Sequence, residues 1–237
     1  MARQNDAGGS TAQAQLASLL ATCRKGTPAP VYLFVGESID TRAAAEAIID
    51  ALVPPERRAF NLEAYDGRTV PLPQVLGSLR TPAFFPGIKL VWVRESAIFL
   101  SGAKKGDLAK SMLTAWEGGR QREATEKLAT LVALAGWSTE RFVGTDWNAA
   151  TKTALREVFG DDVGAEHGAT LQAVQQALLA RDVKLGEFRD ESALLLEYLE
   201  GTPMPNAVLV FTTTAVDGRK RVVKVVQERG AVVVVNT

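Results

Sequence analysis

The sequence predicts an α/β fold: a mostly parallel sheet of five strands with flanking helices, plus a helical insertion. Three observations predict it. Short apolar runs rich in β-branched and aromatic residues recur at Val31–Val35, Phe60–Tyr65, Lys89–Arg94, Ala207–Thr213 and Val232–Val235. Runs so continuously apolar suit strands buried on both faces. Helical patterns separate them, and strands joined through helices lie parallel in one sheet. Between the third and fourth runs, Ser101 to Arg189 offers one helical pattern after another and no convincing strand.

Each element has its own signal. Residues Met1 to Ser10, polar and glycine-containing, are expected to be disordered. From Thr11 an amphipathic helix places Leu16, Leu19, Leu20 and Cys23 on one face, and Gly26, Pro28 and Pro30 end it. After the first strand a helix runs from about Thr41 to Leu52, stopped by Pro54 and Pro55. The second strand closes on the turn pair Asp66-Gly67. Pro71 to Leu79 reads as a short helix with proline in its first turn, leading to the third strand. Helices are expected over Asp107–Trp116, Arg122–Leu134, Asn148–Phe159 and Thr170–Ala180, punctuated by Gly118-Gly119, Gly136, Gly144 and Gly160. Glu191 to Leu199 returns the chain to the fourth strand. Asp217 then caps a helix carrying Val222, Val223 and Val226 and ended by Gly230. One domain is thus expected over 11–100 and 190–237, with 101–189 inserted in it.

The 237 residues suffice for one large domain or two small ones. Hydrophobic content of 46%, charged content of 23% and a formal net charge of +0 describe an ordinary globular protein. A neutral total argues against a domain whose main task is gripping nucleic-acid phosphates. Cys23 is the single cysteine, so no intrachain disulfide can form and a reducing cytoplasm is expected. No apolar stretch is long enough to span a bilayer, and the polar opening residues are not expected to act as a signal peptide.

The junction after the first strand, Gly36 onward, is where a phosphate-binding loop would lie. That pattern needs a second glycine, then lysine, then serine or threonine. Counted from Gly36, those positions hold Thr41, Arg42 and Ala43. Ala43 has no hydroxyl for magnesium, Thr41 has a Cβ where backbone must approach phosphate, and Glu37 and Asp40 would repel an anion. This is a degenerate phosphate-binding loop, and no nucleotide or other cofactor is expected.

Three segments together carry a family resemblance: VYLFVGESIDTRAAAEAI, then FNLEAYDG with LRTPAFFPGIKLVWVRES, then LLLEYLEGTPMPNAVLVFTTTAVDGRKRVVKVVQERGAVV. The chain resembles the N-terminal domain of the delta subunit of the bacterial DNA polymerase III clamp loader. The match rests on a first strand ending in Gly-Glu, Phe-Asn at the second, Pro-x-Phe-Phe before a basic-then-apolar third, and Asp-x-Arg-Lys after the fourth. The resemblance implies an AAA+-like fold with parallel strands ordered 5-1-4-3-2. It implies no ATP hydrolysis, and a role in binding the bacterial sliding clamp and opening or holding its ring. The family's paired hydrophobic residues for that contact fall on Phe84 and Phe85, with Leu79, Thr81 and Ile88 as neighbours. Arg80 stands where clamp-binding peptides often carry glutamine. Family members continue into a small helical domain and a collar. The resemblance therefore implies a piece of a longer protein, partnered by other loader subunits, with only an indirect place for DNA.

Other chemistry has weak support. On the residues alone, Phe84 and Phe85 either pack under the sheet, as most phenylalanines do, or face solvent; the resemblance favours exposure of at least one ring. Arg219, Lys220, Arg221, Lys224 and Arg229 read first as a solvated face opposite the valines, and otherwise as a contact with DNA or a partner. His167 is the only histidine, so neither a His-rich metal site nor a serine–histidine pair is expected, and Asp161, Asp162 and Glu166 read as a solvated acidic loop. Trp116, Trp137 and Trp147 are expected to build the core of the insertion. No catalytic or metal-binding residue is assigned. The readings left beside clamp binding are a divergent P-loop NTPase and a nucleic-acid-binding domain.

Overall fold

The computed structural model describes residues 5–101, 104–161, 163–181, 185 and 190–235. They form two compact units, one of the described residues up to 99 and from 190 onward, the other of those between 100 and 189.

In the first unit the order is α1 (Asn5–Arg24), β1 (Val31–Gly36), α2 (Ser38–Leu52), α3 (Arg58–Asn61), β2 (Leu62–Asp66), α4 (Leu72–Arg80) and β3 (Lys89–Arg94). The second unit contributes α5 (Lys105–Glu117), α6 (Gln121–Ala135), α7 (Thr139–Val143), α8 (Lys152–Phe159) and α9 (Gly168–Leu179). The first unit resumes with α10 (Ser192–Glu200), β4 (Ala207–Thr213), α11 (Arg221–Arg229) and β5 (Ala231–Val235).

The five strands form one sheet ordered β2-β3-β4-β1-β5. Every pairing is parallel, so all strands start at one edge of the sheet and finish at the other. Alternation divides each strand between two cores. Val31, Leu33 and Val35 of β1 face Val75, Leu79, Leu195, Leu199, Val222 and Val226 from α4, α10 and α11. Tyr32 and Phe34 face Ala44, Ala45, Ile48 and Ile49 of α2, with Cys23 of α1. Helices on both faces leave no polar side to the central strands, which is why their sequences are continuously apolar. The buried Cys23 thiol lies 3.3 Å from the Tyr32 hydroxyl, which also accepts from the Ala29 amide at 2.8 Å.

In the second unit Trp137 and Trp147 are buried and stacked at 5.6 Å, with Phe159 edge-on to Trp147 at 5.0 Å. Gln175, also buried, donates to the Phe142 and Thr145 carbonyls. Trp116 is only half-buried, so the tryptophan core has two members rather than three.

Several boundaries differ from expectation. α1 is helical from Asn5, inside the stretch expected to be disordered; residues 1–4 lie outside the described residues. α2 starts at Ser38 rather than near Thr41. Phe60 and Asn61 belong to the helical turn α3, and β2 begins only at Leu62. Pro55 opens a short helical turn that runs into α3 and delays the strand. α8 begins at Lys152 rather than Asn148, where the Thr151 side chain caps it by accepting from the Ala154 amide. Asp217 does not cap α11. It is buried and holds the preceding turn, accepting from the Arg219 backbone and guanidinium, and α11 starts four residues later.

Candidate functional site

The parallel sheet has two edges, and the sequence placed a candidate on each. At the edge where strands finish, β1 ends on Gly36 and α2 starts at Ser38, so Glu37 alone lies between them. A phosphate cradle needs a run of free backbone N–H groups in a wide loop. Here the Thr41 amide is already bonded to the Glu37 carbonyl at 2.9 Å. The buried Thr41 hydroxyl donates back to the carbonyls of Glu37 and Ser38. Arg42 pairs with Glu46 on the outside of the helix, and Ala43 is exposed. Gly36 has φ +149°, and a Cβ there would overlap the Val235 carbonyl of the neighbouring strand. The glycine therefore serves the close approach of β5.

At the other edge, where strands start, the segment from α4 to β3 carries Phe84 and Phe85 between Pro82 and Pro86. Phe84 is 80% exposed and Phe85 39%. A third ring joins them: Phe60 of α3, 51% exposed, stacks on Phe84 at 5.8 Å and meets Phe85 edge-on at 4.8 Å. Phe84 and Phe85 are themselves edge-on at 5.2 Å. Offset and edge-on contacts are the favourable arrangements of aromatic rings. They leave three apolar surfaces together in solvent, which is unusual for a surface without a partner.

The other expected residues of this site divide. Thr81 is exposed and closes α4, its hydroxyl donating to the Gly77 carbonyl. Ile88 is half-buried against the α1–α2 core. Leu79 is 1% exposed inside the α4–α10–α11 core, and so presents no surface to a partner. It lies on the inward face of α4 with Leu72, Val75 and Leu76.

Glu63 accepts hydrogen bonds from Lys89, Ser78 and Tyr65. Burial alone would raise its pKa; these bonds, Lys89 first, outweigh burial and hold it at about 2. The same carboxylate pushes the Tyr65 phenol upward, because ionising the phenol would leave two anions in contact.

Elsewhere, the cations leading into α11 and the one that opens it are matched by carboxylates: Arg219 with Asp217, Lys220 with Asp190 and Arg221 with Glu200. Lys224 and Arg229 are exposed. His167 is half-buried, 3.5 Å from Glu166; Asp161 is exposed and paired with Arg156, and Asp162 lies outside the described residues. Among the described residues no three His, Cys, Asp or Glu side chains gather as a metal site, and no helix is long and apolar enough to cross a membrane.

Sequence reasoning missed Phe60. The Phe60–Tyr65 run alternates like a strand, and a strand residue has no reason to meet the loop. The available signal was Pro54-Pro55 five residues earlier, which favours a helical turn before the strand.

No family model matches this chain, and no curated protein matches it. Its fold is similar to a solved structure, the Bacillus subtilis DNA clamp loader delta protein (YqeN), with a TM-score of 0.50 and 15% sequence identity. The similarity covers 92% of this chain and 42% of that one, so the chain spans less than half the length of the protein it resembles.

Proposed function

We propose that this chain is the sliding-clamp-binding part of a replicative clamp loader, acting on the clamp ring without nucleotide chemistry of its own. The observation that carries the reading is the exposed cluster of Phe84, Phe85 and Phe60 at the strand-start edge of a clamp-loader-delta-like fold. A clamp with an apolar pocket gives these rings what solvent does not, and each buried phenylalanine contributes roughly 1.5–3 kcal/mol. Two flanking prolines limit the loop's conformations before binding, which lowers the ordering cost. Clamp binding would then occupy one edge of the sheet. The degenerate junction at Gly36, Thr41, Arg42 and Ala43 sits at the other, one strand length or about 20 Å away.

The NTPase reading draws no support from the one-residue connection between β1 and α2. The DNA-binding reading draws little from this basic segment, whose first three cations, Arg219, Lys220 and Arg221, already have carboxylate partners. Titration calorimetry of the chain against a bacterial sliding clamp tests the proposal. Saturable binding that competes with an aromatic clamp-binding peptide is expected. Absence of binding at high micromolar concentrations of both proteins would overturn it.

A further inference from the structure

Three side chains between Arg57 and Asn61 reach the aromatic loop, and a fourth, Glu63, reaches the elements that flank it. Arg57 Nη1 donates to the Pro86 carbonyl at 2.7 Å. Asn61 Nδ2 donates to the carbonyls of both Phe85 and Ile88 at 3.2 Å. Glu63 accepts from Ser78 on one side of the loop and Lys89 on the other, tying together the elements that flank it. Phe60 lies against both loop rings. Pro82 and Pro86 have no N–H, so the loop has fewer means of bonding to itself. Gly87, at φ +131°, lies between Phe85 and Ile88, the two residues whose carbonyls meet Asn61. Asn61 is 1% exposed and cannot touch a partner; its effect on any contact passes through the loop.

The geometry points to a docking surface built from two segments, residues 57–63 as well as 81–88. Phe60 is its third contact ring. Asn61 is a positioning residue that holds Phe84 and Phe85 in the orientation the partner meets. The identity of that partner rests on the clamp-loader reading above; the ordering of the loop by Asn61 does not.

The test uses the whole chain with Phe60→Ala and Asn61→Asp. The second keeps side-chain volume and removes both donors. Calorimetry against a bacterial sliding clamp, melting temperature, and backbone amide relaxation of Phe84, Phe85, Gly87 and Ile88 without clamp are the readouts. Phe60→Ala is expected to weaken binding about tenfold or more while the melting temperature holds, since its ring is outside both cores. Asn61→Asp is expected to weaken binding and to lower the loop order parameters from about 0.85 toward 0.6. If Asn61→Asp fails to fold, Asn61→Leu removes the same two donors without adding a buried charge and carries the same expectation.

Unchanged affinity in Phe60→Ala, beside a loss in Phe84→Ala, removes Phe60 from the surface and leaves the clamp reading standing. Unchanged order parameters in Asn61→Asp, or in Asn61→Leu where that stands in, overturn the positioning role. Failure of the unaltered chain to bind clamp overturns the proposed function and the contact role of Phe60 together, and relaxation still decides Asn61.

Discussion

Phe84 and Phe85 contribute their rings to neither core, so their removal separates binding from folding more cleanly than most aromatic substitutions. Changing both to alanine is expected to reduce clamp affinity by on the order of 3–6 kcal/mol, the sum of two ring burials, and to leave the melting temperature within a few degrees. Calorimetry with a thermal melt of the same sample checks both halves. Leu79 gives the opposite result: Leu79→Ala should cost about 2–5 kcal/mol of stability, because it empties part of a packed core. Glu63 supplies a pH test. Its folded pKa, about 2, lies below the ordinary carboxylate value, so its stabilisation is full above about pH 4.5 and is lost as pH falls toward 2. Glu63→Gln should therefore destabilise the protein at pH 7 by about 1 kcal/mol, allowing for screening of a carboxylate more than a third exposed. The difference from the unaltered chain should shrink between pH 4.5 and 2, as thermal melts across that range would show.

Among the elements, the β1–α2 junction carries the firmest expectation. Glu37 alone between strand and helix leaves no loop of free amides, so magnesium-dependent ATP binding at micromolar affinity is not expected, and equilibrium titration with labelled ATP measures it. Gly36→Ala should instead cost stability, on the order of 2 kcal/mol or more, through overlap with the Val235 carbonyl at a φ that alanine avoids. The sheet was legible in the sequence because burial on both faces left β1, β3 and β4 almost wholly apolar, a pattern that needs no knowledge of partners. Element ends were less legible. Phe60 to Tyr65 alternates as a strand does, yet Asn61 finds its hydrogen bonds in the loop before β3, a tertiary contact 24 residues and more away. Asp217 was read as a helix cap from its position alone, and Arg219 claims that carboxylate first. Exposure of Phe84 and Phe85 lay beyond periodicity altogether, since two prolines remove the pattern from which burial is read.

At the scale of the molecule, the second unit leaves the first after Phe99 and the chain returns at Asp190. One side chain meets both ends: Lys220 Nζ donates to the Ile98 carbonyl at 2.8 Å and to the Asp190 carboxylate at 3.2 Å. Ends held by a single ammonium are close enough for a linker of a few residues, at about 3.4 Å each, to join them. A chain with residues 100–189 replaced by such a linker is expected to keep the sheet and the aromatic cluster. Circular dichroism and clamp calorimetry would test this; a chain that no longer melts cooperatively would count against it.

The adjacency of β3 and β4 also bears on how the chain acquires its shape. These strands pair along their length in the middle of the sheet, yet more than a hundred residues separate Arg94 from Ala207. Closing so long an unstructured loop is entropically unfavourable and tends to slow folding. A second unit that condenses first, through local helix contacts, would bring the two ends together before the strands meet. Refolding kinetics would then show the tryptophan stack of that unit forming ahead of the parallel sheet, and the shortened chain would reach its native state without waiting for it.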